Sequence, residues 1–175
     1  MERSVGVAIG VLMGLVICVC VFKASNTNKK IKTEYDERQL LVRGKGYTAA
    51  FYTLVIYEAL MMLLTLSGIE LPVQDYILHV AGLFIGCTVL GVYCIWNDVY
   101  WGLNNDRRKY IWVIVAAFAI NVAVAVGSIL NGNVMEDGKL GMPTLNILVT
   151  IMLLIIMAEM LVKRAMEKNV KNEDE

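Results

Sequence analysis

Residues 47–69 read YTAAFYTLVIYEALMMLLTLSGI, 23 residues with a single charge, Glu58. About 20 predominantly apolar residues in a helix cross a hydrocarbon core about 30 Å thick. A helix also satisfies its own backbone without water. A strand of a membrane barrel would alternate apolar and polar residues over about ten positions, whereas this run is continuously apolar. The stretch predicts a membrane helix, and the rest of the chain repeats it. Residues 4–22, 110–130 and 140–158 are uncharged, and residues 76–97 carry only His79. The expected fold is all-α: an integral membrane bundle of five transmembrane helices at about 4–22, 47–69, 76–97, 110–130 and 140–162. These make one transmembrane domain over 1–165, with a polar loop at 23–46 and a charged tail at 166–175.

The composition agrees. The chain is 58% hydrophobic and 18% charged, against about a quarter charged in soluble domains. Sixteen basic and sixteen acidic residues cancel, so no basic excess points to nucleic acid. The four cysteines have neither zinc-ribbon nor thioredoxin spacing and read as inert thiols within the apolar runs.

The basic residues set the orientation. Lys23, Lys29, Lys30, Lys32, Arg38, Arg43, Lys45, Arg107, Arg108, Lys109, Lys163, Arg164, Lys168 and Lys171 fall on one side, and only Arg3 and Lys139 on the other. The positive-inside rule places the larger set in the cytoplasm. With five helices this puts the N-terminus outside and the C-terminus inside. The first run is expected to be retained rather than cleaved. Its basic cluster follows the apolar stretch, and no small-x-small cleavage site comes after it.

Local signals refine the loops. Thr33 precedes Asp36 by three residues, a capping-box-like start, and Glu34 and Arg38 are spaced i,i+4. A short amphipathic helix is therefore expected from near Glu34, with Leu40–Val42 at the membrane interface and Arg43 and Lys45 among lipid phosphates. Gly44 and Gly46 would permit a bend before the next span. Residues 69–75 form a turn short enough to make the second and third spans antiparallel neighbours. Residues 131–141, rich in Gly and Asn, predict a flexible turn. Gly6, Gly10 and Gly14 place a smooth stripe on one face of the first span, which suits either packing within the monomer or a homo-oligomer seam.

The stretch YDERQLLVRGKGY (35–47) and the later NDVYWGLNN (97–105) together carry a resemblance. The pair resembles a group of small, uncharacterised multi-pass membrane proteins of Gram-positive bacteria. In that group a DERQ element is followed by RGKA and an aromatic residue, and a later loop carries D-x-Y-aromatic-x-L-N. Asp36, Glu37, Arg38 and Gln39 match the first element. Arg43, Gly44 and Lys45 match the second, with Gly46 in place of alanine. Asp98, Tyr100, Trp101, Leu103 and Asn104 match the third. The resemblance implies a bacterial plasma-membrane protein and brings no biochemical activity with it. It marks Asp36–Gln39, Asp98, Tyr100, Trp101 and Asn104 as an interaction surface on the cytoplasmic face. The DERQ charges are expected to meet Asp98, Arg107 or Arg108 and knit two loops into one platform.

Glu58 lies eleven residues into its run, roughly 16 Å deep, where a charge is unfavourable and must face protein or water. Asn121 lies equally deep in the fourth run. The two predict either a protonatable or cation-binding site or a buried hydrogen-bonded pair that fixes packing. His79 reads as a satisfied interfacial histidine, and Glu159 as the i,i+4 partner of Lys163. Walker, H-E-x-x-H, G-x-S-x-G and kinase signatures are all missing from the sequence, so no catalytic residue, metal or cofactor is expected. The expected function is a non-enzymatic membrane module whose cytoplasmic face binds a protein partner. The alternative is a small oligomeric transporter or channel built around Glu58.

Overall fold

The computed structural model describes the backbone of residues 2–173 and the side chains of residues 12–14 and 16–169. Helix α1 spans Glu2–Ser25, α2 Glu37–Leu66, α3 Asp75–Trp96, α4 Arg107–Leu130 and α5 Thr144–Glu173. The short strands β1, Met135–Glu136, and β2, Lys139–Leu140, lie between α4 and α5. Helices α2 to α5 are long and apolar enough to cross a membrane, the signature of a multi-pass membrane protein. In α1 the described apolar part is shorter, Leu12–Ser25. Gly6 and Gly10 of the expected stripe lie outside the described side chains, and a Cβ added at Gly14 would meet nothing within 4 Å.

Two compact units divide the chain, residues 1–36 with 101–114 and residues 37–100 with 115–175. In the second, α3 packs against both α2 and α5. Small residues make the α2–α3 approach close. Gly82 and Gly86 on α3 are buried, and a Cβ at Gly86 would lie 3.6 Å from the Ala50 carbonyl oxygen. At Gly91 a Cβ would lie 2.5 Å from Ile156 Cδ1 of α5. Ile77, Cys94, Ile95 and Ile156 are buried, while Phe51, Leu63, Ile120 and Leu154 stay exposed. Apolar side chains turned outward suit a lipid surround.

Three local features depart from expectation. There is no separate short helix before the second span; α2 is one helix from Glu37, running through Gly44 and Gly46. Gln39 and Gly46 are buried seven residues apart on it, so its packed face runs on into the polar segment. Gly46 is a point of close approach, where a Cβ would come within 2.9 Å of the Tyr93 ring. Secondly, the 131–141 segment is a built turn. Gly132 (φ 68°) ends α4; its N–H bonds to Ile129 O and that of Asn133 to Ser128 O, a Schellman closure. Asp137 and Gly138 then take φ of 53° and 78°, as a type I′ hairpin turn requires, and register Met135 with Leu140. Leu140 N–H donates to Pro72 O, and Gln74 N–H to Leu140 O. This ties the hairpin to the α2–α3 connection. Thirdly, α5 starts at Thr144 rather than near 140 because residues 139–140 belong to that hairpin. Its far end continues to Glu173, so the charged tail remains helical there.

Candidate functional site

The first unit is held by asparagines. Asn26 and Asn104 are 1% and 5% exposed, and a buried carboxamide must satisfy both its carbonyl and its NH₂. Asn26 Oδ1 accepts from Asn105 Nδ2 (2.7 Å) and Tyr110 Oη (3.0 Å), and its Nδ2 donates to Lys30 O at 2.8 Å. Asn104 Oδ1 accepts the Glu34 N–H at 2.8 Å, and its Nδ2 donates to Asn28 Oδ1 (3.1 Å) and Lys32 O (3.0 Å). Backbone bonds complete the joint: Thr27 N–H to Asn104 O, Leu103 N–H to Glu34 O and Asp106 N–H to Ser25 O. Trp101 meets the Tyr110 ring edge-on at 6.0 Å, and Phe22 lies 6.4 Å from the same ring. Asp106 caps α4 by accepting the N–H groups of Arg108 and Lys109. The Lys109 N–H, helped by its ammonium, holds the Asp106 carboxyl below its ordinary value. The 26–36 and 101–106 segments are thus knitted together, and within this unit amides make the joint. Sequence reasoning marked Asn104 as surface and overlooked Asn26, Asn28 and Asn105. The clue was present in two asparagine-rich stretches, 26–28 and 104–105, flanking apolar runs.

The second unit gathers cations at the end of α3. Asp98 takes φ 59°, and its N–H and that of Val99 bond to Ile95 O and Cys94 O. This is a Schellman closure with Asp at the position glycine usually fills. Lys163 of α5, 14% exposed at its side chain, donates to both Ile95 O and Asp98 Oδ1. Arg43 of α2 donates to Val99 O (3.0 Å) and Tyr47 Oη (3.1 Å). Cations suit the negative end of a helix and its unpaired carbonyls. Asp98 therefore pairs with Lys163, and the expected pairing of Lys163 with Glu159 gives way. Glu159 instead accepts from Trp96 Nε1 at 2.8 Å.

Asp98→Ala is expected to be less stable than Asp98→Gly by about 1 kcal/mol, because alanine bears the left-handed cost that glycine avoids. Asp98→Ala should also be less stable than wild type, and that loss should shrink in a Lys163→Met background, where the carboxylate has no ammonium to meet. Thermal melting of wild type, Asp98→Ala, Asp98→Gly, Lys163→Met and the Asp98→Ala/Lys163→Met double variant checks this; equal losses from Asp98→Ala in both backgrounds would show that Asp98 does not act through Lys163.

Of the expected interaction surface, Asp36, Glu37 and Arg38 are exposed and Gln39 is buried. Tyr100 is half-buried, and Asn104 is consumed by the knot.

The expected Glu58–Asn121 pair is not formed. Asn121 Nδ2 donates to Ala117 O of its own helix at 2.8 Å. Glu58 Oε2 lies 2.8 Å from Nδ1 of His79, a bridge from α2 to α3. Glu58 stands eight residues before the end of α2 and His79 four after the start of α3, about 12 Å and 6 Å along their helices. The neighbouring Tyr57 donates to Leu78 O at 2.8 Å. Both bridges cross α3 beside Gly82, where a Cβ would lie 2.6 Å from Tyr57 Cδ1 and 3.1 Å from Glu58 Oε1. The missing side chain admits them. The Glu58 and His79 side chains are 38% and 62% exposed. The sequence signal for this partner was Gly82 and Gly86 at spacing four, three and seven residues beyond His79.

No family model, curated protein or solved structure matches the chain.

Proposed function

We propose that this is a plasma-membrane protein of five spans, N-terminus outside and C-terminus in the cytoplasm, that acts as a non-enzymatic module binding a protein partner at its cytoplasmic face. The reading rests chiefly on the asparagine knot, which gives loops at the basic ends of apolar helices a fixed shape. A face ordered before binding avoids much of the entropy cost of association. The second unit has two features of its own that suit the reading: the clasp at the end of α3 and the exposed Glu37–Arg38 pair on the first turn of continuous α2. The DERQ-type resemblance adds the bacterial setting.

A photo-crosslinker placed at Leu41, which is 74% exposed and one turn from Glu37, tests the idea in intact membranes. One defined protein should be captured by the wild-type face and lost with Glu37→Lys/Arg38→Glu. Capture that is indifferent to this reversal would sink the proposal.

A second reading has its own observation, the Glu58–His79 bridge between spans, since ionisable groups within membrane helices often mark ion or proton paths. It makes the protein a small oligomeric transporter or channel. Proteoliposomes should then show a proton or cation flux that Glu58→Gln abolishes, and an equal flux in both proteins would remove the reading.

A further inference from the structure

We infer that the asparagine-knotted unit is a binding site for anionic phospholipid headgroups, with Lys29, Lys30, Lys32, Arg107 and Arg108 as the phosphate contacts. The leaflet assigned to it, the cytoplasmic one, rests on the orientation proposed above; the lipid chemistry does not.

The lysines are presented by a fixed backbone. The carboxamide NH₂ of Asn26 takes the Lys30 carbonyl, and that of Asn104 takes the Lys32 carbonyl. Asn28 Oδ1 accepts the Lys30 N–H. Lys29 turns through φ 56°, its N–H bonded to Asn26 O. The backbone of 29–32 is therefore held inward by its polar groups, and all three lysines are exposed. A simple polar linker would not need its carbonyls captured one by one.

Next comes charge. Besides the five named cations the described part of this unit holds Lys23 and Lys109, against only Glu34, Asp36 and Asp106. Glu34 pairs with Lys30 at 3.6 Å and Asp106 with Lys109 at 3.4 Å, so a net positive field remains. Arg107, Arg108 and Lys109 open α4, whose first turn has no acidic residue. Three cations at the positive end of a helix oppose its dipole, a placement that helix stability does not explain and an external anion would. Asp106 already caps that end, so the side chains, rather than free N–H groups, would hold the phosphates.

Finally there is position. The unit contains the end of apolar α1 and the start of α4, joined by the Asp106–Ser25 bond. The same unit holds the Trp101–Tyr110–Phe22 aromatic group and the exposed Ile31 and Leu103. Aromatic residues at the ends of spans sit at headgroup depth, where basic residues meet anionic lipid.

The full chain in micelles with equal phosphatidylglycerol and phosphatidylcholine, examined by native mass spectrometry, tests this. Wild type should retain phosphatidylglycerol preferentially. Lys29→Gln/Lys30→Gln/Lys32→Gln and Arg107→Gln/Arg108→Gln should each lower that preference, by up to roughly fivefold per charge removed. The corresponding Lys→Arg triple variant should keep it. Arg164→Gln/Lys168→Gln, on the exposed part of α5, should leave it unchanged. Equal retention of the two lipids by wild type, or an equal loss in the Arg164/Lys168 variant, would overturn the site. Trypsin added to either side of sealed membranes reads the orientation separately. Cleavage at Lys29–Lys32 from outside, with lysine-dependent lipid retention intact, would reject the topology and keep the lipid site.

Discussion

Asn104→Asp should open the 26–36 segment about a hundredfold more often than in the wild-type chain. Aspartate has nearly the shape of asparagine, and its oxygen can still accept the Glu34 N–H. What it lacks is the NH₂ that serves Asn28 Oδ1 and Lys32 O. At a position 5% exposed two acceptors would face an oxygen instead of a donor. Lys32 O then loses its donor, and burying a charged group that lacks partners costs more than the roughly 1–3 kcal/mol of a neutral one, so a loss of about 3 kcal/mol is expected. The target bonds for trypsin, at Lys29, Lys30 and Lys32, lie in the released segment. Where opening is fast, cleavage tracks the population of the open form, and limited proteolysis reads the change directly. Asn28→Asp is the contrast. It is the same chemical change on an exposed residue, and it keeps an oxygen for Asn104 Nδ2. Cleavage should rise only slightly there. Should the two variants be cut at the same rate, burial of Asn104 would not be what holds the loop.

Gly82→Val is the second large effect expected. Even an alanine Cβ would stand 2.6 Å from the Tyr57 ring and 3.1 Å from Glu58 Oε1. The ring must swing away, breaking its bond to Leu78 O, and the Glu58–His79 bridge must shift with it. Overpacking of this kind typically costs about 1–3 kcal/mol, and valine should reach the upper end. At Gly86, four residues away, the added Cβ meets ordinary contact distances of 3.6 and 3.9 Å. Gly86→Ala should therefore be nearly silent. Tyr57→Ser should relieve Gly82→Ala, because it removes the ring that clashes, whereas Tyr57→Phe should not. Thermal unfolding in lipid nanodiscs gives the comparison; additive effects of Tyr57→Ser and Gly82→Ala would reject the steric account.

The apolar runs made the helices legible because continuous hydrophobicity over about 20 residues has few alternative uses. A helix over residues 37–46 was legible, but its continuity with the span was hidden because charges and two glycines surround Leu40–Val42, and only packing shows Gln39 and Gly46 on the buried face. The hairpin at 135–140 was legible in principle. Asp137–Gly138 is a known two-residue turn pair, but general loop composition masked it. Depth along the sequence aligned Glu58 with Asn121. Depth does not fix rotation about a helix axis, however, and Gly82 supplies the space that turns Glu58 toward His79. The third element of the DERQ-type resemblance included Asn104, yet surface exposure was the wrong inference for it. A carboxamide between two loops can serve as mortar as readily as a docking group, and hydrogen-bond partners decide which.

Synthesis proceeds from the N-terminus, which gives the Lys163 clasp a temporal meaning. When α2 and α3 have left the ribosome, Gly82 and Gly86 already let the two helices meet, and Arg43 can reach Val99. Residue 163 does not yet exist. Until it arrives, Asp98 has no ammonium to bridge it to Ile95 O. The contacts of α2 with α3 therefore need nothing beyond residue 99, whereas the clasp can close only once α5 is made. A chain stopped before residue 163 would carry α2 and α3 unclasped, with Asp98 and Ile95 lacking their lysine.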